Sequence, residues 1–326
     1  MLIKEQGTAA SERGDGAPGV RRSSHAQSTR GVLALFGTLA AAAGHFTFTL
    51  MHEGEPCRSP WLTRGDWRMK TLHTWTVTLF GILSTVFLTT EASAQPPPSV
   101  KATHVVLVHG AWADGSSWSE VIQRLQAAGL QVTSVQNPLT SLADSVAATR
   151  RALAVQKGPT VLVAHSWGGT VISEVGTDPK VTALVYVAAR APDAGEDFVA
   201  LSQKYPTTPV RAGVQEREGF TTISEDPFLK YFANGVSREK AKILYAVQQP
   251  AAASLFAEKT TAAAWHSKPS WYAVSKQDQT IAPDLQRFLA HRMNASTVEL
   301  EAGHLSLVSH PQDIAKLILA AAGHRK

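Results

Sequence analysis

The chain has one cysteine, Cys57, in 326 residues. No intramolecular disulfide can form, no Cys-x-x-Cys metal or redox motif exists, and a thiol nucleophile would have to lie near the N-terminus. Charged residues are sparse, at 17%, and although the formal net charge is +5, no Lys/Arg run exceeds two residues. A nucleic-acid surface needs basic residues gathered on one stripe or face, so no nucleic-acid partner is expected. Nine Lys/Arg and seven Asp/Glu fall in the first 94 residues, which leaves only +3 for the rest. No HExxH or comparable ligand spacing occurs, and no glycine-rich loop suits a phosphate; neither a metal nor a cofactor is expected. What is present is 44% hydrophobic residues, the composition of an ordinary globular domain with enough apolar material for a core.

Residues 1–68 are rich in Gly, Ala, Ser, Arg and His and read as a non-structural extension or an upstream start. Their apolar patch at 31–44 is too short to span a bilayer. At Met69 the character changes. Lys70, an apolar or Thr-rich centre from Leu72 to Leu88, and Ala92-Ser93-Ala94 are the three parts of a secretory signal peptide over 69–94, cleaved after Ala94. A membrane anchor is the alternative, but Gln95-Pro96-Pro97-Pro98 breaks a helix just where an anchor would continue. The expectation is translation from Met69, a periplasmic or secreted product without stable membrane insertion, and a single domain over 95–326.

Within that domain, apolar strand patterns alternate with helical ones. Strands are expected at Thr103–Val108, Gln131–Val135, in the apolar run that begins at Thr160, at Val181–Val187 and Ser270–Ser275, and a sixth begins at Val298–Leu300. Helices are expected from Trp118 to Ala128, from a Ser141 cap to Gln156, after Ser166, and over Pro283–Met293 and Pro311–Ala322. Strands apolar on both faces with helices between them imply an α/β fold with a parallel sheet covered on each side. Residues 190–268 do not continue the alternation. Their length, their aromatics and their place after the fourth strand suggest a mainly helical cap over the carboxyl edge of the sheet.

The third strand runs Thr160-Val161-Leu162-Val163-Ala164 into His165-Ser166-Trp167-Gly168-Gly169. A buried strand that breaks into small residues around a serine is the pattern of a sharp strand-to-helix turn, which lifts the Ser166 hydroxyl above the sheet. The same turn aims the Trp167 backbone N–H, at a helix N-terminus, toward any oxyanion formed there. A serine nucleophile needs a base, and the base needs a group to orient it. Asp278 follows the fifth strand and His304 follows the sixth, so both fall in loops at the same sheet edge as Ser166. Asp197 and Glu301 are rival acids and His310 a rival base. Ala111, after His109-Gly110, is placed to give a second oxyanion donor. Trp112, His165 and Leu305 are candidate pocket residues.

Residues 103–323 resemble the α/β-hydrolase superfamily, in particular small bacterial esterases similar to the plant methylesterase and hydroxynitrile lyase branch. The motifs that carry the resemblance are Val106-Leu107-Val108-His109-Gly110-Ala111-Trp112, Ala164-His165-Ser166-Trp167-Gly168-Gly169, Asp278 in its loop, and Gly303-His304. Ala164 stands where the family usually has glycine. The resemblance implies a six-stranded parallel sheet in the order 2-1-3-4-5-6, a helical cap, no cofactor, and a Ser-Asp-His triad in that chain order. It also implies a carboxylic-ester hydrolase acting on small-molecule esters. A cofactor-free lyase or perhydrolase on the same triad, or a non-catalytic ligand-binding protein, are the alternatives. Leu305 occupies the position where the lyases of the branch carry a lysine.

Overall fold

The computed structural model describes residues 101–324. The expected signal peptide, the extension before it and Cys57 lie outside the described residues. The first half of the fold contains β1 (His104–Val108), α1 (Ser119–Ala127), β2 (Gln131–Val135), α2 (Leu142–Ala154), β3 (Thr160–His165), α3 (Gly168–Val175) and β4 (Val181–Val187). A cap segment follows with α4 (Phe198–Ser202), β5 (Val214–Arg217), β6 (Phe220–Ile223), α5 (Glu225–Pro227), α6 (Arg238–Ala246) and β7 (Ala251–Ala252). The chain then returns through β8 (Ser270–Ser275), α7 (Pro283–Arg292), β9 (Ser296–Leu300), α8 (Ser306–Ser309) and α9 (Pro311–Ala321).

The main sheet has the order β2-β1-β3-β4-β8-β9 with every pair parallel. Its central strands are continuous apolar runs because helices cover both faces; each residue of β1 and β3 is buried. The edge strands depart from the expectation of apolarity on both faces. β2 is buried only at Val135, and no residue of β9 is fully buried, since an edge strand has a paired neighbour on one side only and water reaches the other. Helix starts follow local chemistry. The Ser141 hydroxyl accepts the Asp144 N–H at the head of α2, and Pro283 and Pro311 occupy first-turn positions of α7 and α9, where the missing N–H costs nothing.

The cap is mainly helical, but it also contains a three-stranded antiparallel sheet, β5-β6-β7, which the sequence patterns did not disclose. Glu218-Gly219, both at positive φ, form the two-residue turn between β5 and β6, the geometry that a tight hairpin requires. The sheet sits against the site through Trp112, whose indole N–H donates to both the carbonyl and the hydroxyl of Thr221 in β6 at 3.1 Å. Trp167 does the same on another side, its indole N–H donating to the Leu255 carbonyl at 3.2 Å. Two tryptophans from the sheet edge therefore tie the cap down over the ends of β1 and β3.

Candidate active site

The turn after β3 is strained and tightly packed. Ser166 has φ +55°, a left-handed conformation that a non-glycine residue rarely holds unless its surroundings over-determine it. The surroundings here do so by contact. A Cβ on Gly110 would lie 2.6 Å from Ser166 Cβ, and one on Gly168 would lie 2.7 Å from the His109 carbonyl oxygen. Both glycines let the β1 loop and α3 approach the serine closely. Ala164 is fully buried, so the alanine in place of the family's usual glycine is accommodated. Trp112 also has positive φ, +57°, which turns the β1 loop back just after Ala111.

The structure brings Ser166, His304 and Asp278 together. His304 Nε2 lies 2.9 Å from Ser166 Oγ, and His304 Nδ1 lies 2.7 Å from Asp278 Oδ2. The Asp278 and His304 side chains have no solvent exposure. A buried carboxylate needs its lone pairs filled, and Asp278 has them filled: Oδ1 accepts the Thr280 N–H at 2.7 Å and the Ile281 N–H at 3.0 Å, and Oδ2 accepts from Gln286 Nε2 at 2.7 Å besides His304. Four donors fix the carboxylate in place, and with it the ring it orients.

The rivals are engaged elsewhere. Asp197 caps α4 by accepting the Ala200 N–H, Glu301 is exposed and paired with Lys276, and His310 bonds Ser309 Oγ at the entry to α9. Backbone N–H groups of Ala111 and Trp167 have no acceptor among the described residues, and both residues line a cavity that opens over Ser166. Trp112 lines it too. His165 and Leu305 do not, which corrects their assignment to the pocket. Both are buried: His165 lies behind the site, where its Nε2 donates to the His304 carbonyl at 3.0 Å and its ring packs 4.6 Å from the His304 ring, and Leu305 turns into the core as the residue before α8.

Two buried histidines stiffen the turns around the serine. Nδ1 of His109 donates to the Gly110 carbonyl and its Nε2 accepts the Asn137 N–H at 2.8 Å, which defines one tautomer. Burial holds His109 below the ordinary histidine value, against the opposing effect of its bond to Gly110. His165 lies well below it, because burial and the neighbouring His304 both disfavour its charged form. Both are therefore neutral supports.

Gln286 escaped the sequence reading. Its Oε1 accepts the Ser275 N–H at 2.9 Å, while its Nε2 donates to Asp278 and to the Ile281 carbonyl, and the residue is completely buried. The signal was available: a lone amide between Leu285 and Leu289 on the buried side of α7, one turn into the helix that follows the Asp278 loop.

The cavity has a volume of about 330 Å³. Trp112, stacked on Phe256 at 5.1 Å between ring centroids, and Phe198 give it an apolar wall. Among the described residues, no group of His, Cys, Asp and Glu side chains is arranged to hold a metal ion, and no helix is long and apolar enough to cross a membrane.

The serine lies in the turn between β3 and α3, and the acid and the histidine come from the loops after β8 and β9. The chain belongs to the α/β hydrolase family, whose model matches residues 105–317. Methylesterase 2 of Arabidopsis thaliana is 25% identical over 254 residues, covering 67% of this chain and 95% of that protein. Among solved structures, polyneuridine aldehyde esterase matches with a TM-score of 0.59 at 19% identity, over 67% of this chain and 98% of its own. An extracellular α/β-hydrolase from a Paenibacillus species, described as sharing structural and functional homology with tobacco salicylic acid binding protein 2, matches with a TM-score of 0.57 at 20% identity, over 68% and 99% of the two chains. The solved structures bear on the fold.

Proposed function

We propose that the protein is a serine carboxylic-ester hydrolase acting on small-molecule esters. The observation that carries this reading is the unbroken Ser166–His304–Asp278 chain of hydrogen bonds beside a cavity lined by Ser166, Ala111 and Trp167. Ser166 Oγ attacks the ester carbonyl as His304 Nε2 takes its proton. The carbonyl oxygen, now negative, is held by the Ala111 and Trp167 N–H groups, each worth about 3 kcal/mol of transition-state stabilisation. His304 then gives the proton to the leaving alkoxide, and an acyl-enzyme on Ser166 remains. Water, deprotonated by His304, releases the acid. Asp278 stabilises the imidazolium throughout without itself changing protonation state. The esterase names of the relatives support the same reaction class.

The test is to label with a fluorophosphonate and to assay p-nitrophenyl esters of increasing acyl length, with mandelonitrile as a separate substrate. Labelling at Ser166 with ester turnover is expected. Labelling without turnover of any ester would favour a ligand-binding protein. Cyanohydrin cleavage should be negligible, since the residue after His304 is the buried, uncharged Leu305; rapid cleavage would make the protein a lyase. We further propose that the enzyme is exported and matures at Gln95, as the Met69–Ala94 pattern suggests.

A further inference from the structure

The cavity over Ser166 contains two arginines, Arg190 and Arg211, and no Asp or Glu among its lining residues. Arg211 is exposed, whereas Arg190 is mostly buried. Arg190 lies three residues past the end of β4, and its backbone N–H donates to the Ser166 carbonyl at 2.9 Å, so it adjoins the serine. Its guanidinium carbon lies 4.8 Å from the centre of the Phe198 ring and 5.3 Å from that of Phe256, and one Nη donates to the Phe256 carbonyl at 3.2 Å. These contacts fix the plane of the group. They leave its Nε–Nη2 edge, a pair of parallel donors, without an acceptor among the described residues.

Arg292 shows how the same chain treats a comparable arginine. It too packs on two rings, Trp265 and Phe288, each at 5.4 Å, but its fork is filled by both oxygens of Glu196 at 2.8 and 2.7 Å. Arg190 has no such carboxylate among the described residues. Burial, and after it the like charge of Arg211, lowers its pKa to about 10. A cation partly withdrawn from water without a counter-ion gains from an incoming anion, and a planar fork matches a carboxylate bidentately.

We propose that the ester accepted by this site also carries a carboxylate, which Arg190 binds on the cap side of the cavity while the ester carbonyl reaches Ser166. This deepens the esterase reading and rests on it. The substrate class is then a half-ester of a dicarboxylic acid, or an acyl ester of a hydroxy acid, of a length that spans Arg190 and Ser166.

The test compares kcat/KM for monomethyl esters of C4 to C8 dicarboxylic acids with methyl alkanoates of equal carbon count. Acetyl esters of hydroxy acids are compared with neutral acetates in the same way. In the wild type, the charged ester should win by about 10- to 100-fold at its best length, mainly through KM, the factor expected of a charge-assisted hydrogen-bond pair. Arg190→Gln should collapse that ratio toward one, and Arg190→Lys should restore part of it. Preference for the neutral ester at every length in both series would overturn the proposal, as would an equal loss on both substrates in Arg190→Gln. Binding separates this proposal from the esterase reading. Monomethyl adipate is titrated by tryptophan fluorescence into Ser166→Ala and into Ser166→Ala/Arg190→Gln, with Trp112 and Trp167 as reporters in the cavity wall. Charge-selective binding that needs Arg190, without turnover of any ester by the wild type, would support the anion site and sink the esterase. Absence of both preference and selective binding would sink the anion site alone.

Discussion

Gln286 offers the sharpest perturbation of the site from outside the cavity. Gln286→Leu keeps the approximate volume and removes three hydrogen bonds at once. The Ser275 N–H, at the buried end of β8, loses its only acceptor among the described residues, an orphaning that costs about 1–3 kcal/mol. Asp278 Oδ2 loses a donor at 2.7 Å, and a bond to a charged group is worth about 1.5–3 kcal/mol. The Ile281 carbonyl belongs to a partly exposed residue and can turn to water, so it adds little. Leucine recovers some apolar burial, and the expected net loss is about 3–4 kcal/mol, a large share of the roughly 5–15 kcal/mol that holds a domain together. Asp278 keeps three of its four donors, so turnover should fall by about 10- to 100-fold with KM little changed, the mark of a residue that positions the acid without touching substrate. Urea unfolding measures the first number, at constant m-value, and hydrolysis of p-nitrophenyl acetate the second. Gln286→Glu is the control: it retains an acceptor for Ser275 but sets a carboxylate against Asp278, and it should damage turnover more than leucine does. A stability loss under 1 kcal/mol together with unchanged turnover in Gln286→Leu would refute the argument that this amide holds the acid in place.

Asp278→Asn should lower turnover by about 10⁴-fold while the fold survives, because the amide would favour the wrong His304 tautomer; full activity would exclude Asp278 as the orienting acid. Stability should fall in mild acid. His165 and His109 bind fewer protons folded than unfolded, so their contribution is complete above about pH 6.5 and is lost as pH falls below it, at up to about 1.4 kcal/mol per pH unit for each. Unfolding at pH 7.5, 6 and 5 should show this slope reduced in His165→Gln; an unaltered slope would remove His165 from the account. A chain beginning at Gln95 should fold and keep full activity, and N-terminal sequencing of the exported protein should begin there; an insoluble or inactive product would contradict export with cleavage after Ala94.

The strand-helix alternation, the elbow around Ser166 and the loop positions of Asp278 and His304 were legible because each depends on local chemistry. A buried central strand must be a continuous apolar run, a sharp turn must have small neighbours, and a parallel sheet must place its strand ends on one edge. What tertiary structure decided was pairing. Asp197, Glu301 and Asp278 are all acids near that edge in sequence, and only packing shows that one of them faces His304 while the others cap a helix or sit in water. His165 stands beside Ser166 in sequence yet lies behind the site, because the elbow turns successive side chains to opposite sides. Gln286 and the β5-β6-β7 hairpin were hidden for a related reason: their partners, Asp278 and Trp112, are 8 and 109 residues away, and no period in the chain records a hydrogen bond between separate elements. Arg190 is the intermediate case. A lone cation at the end of the apolar run Val181–Ala189 is visible in the sequence, but only the folded cap shows that no carboxylate among the described residues comes to meet it.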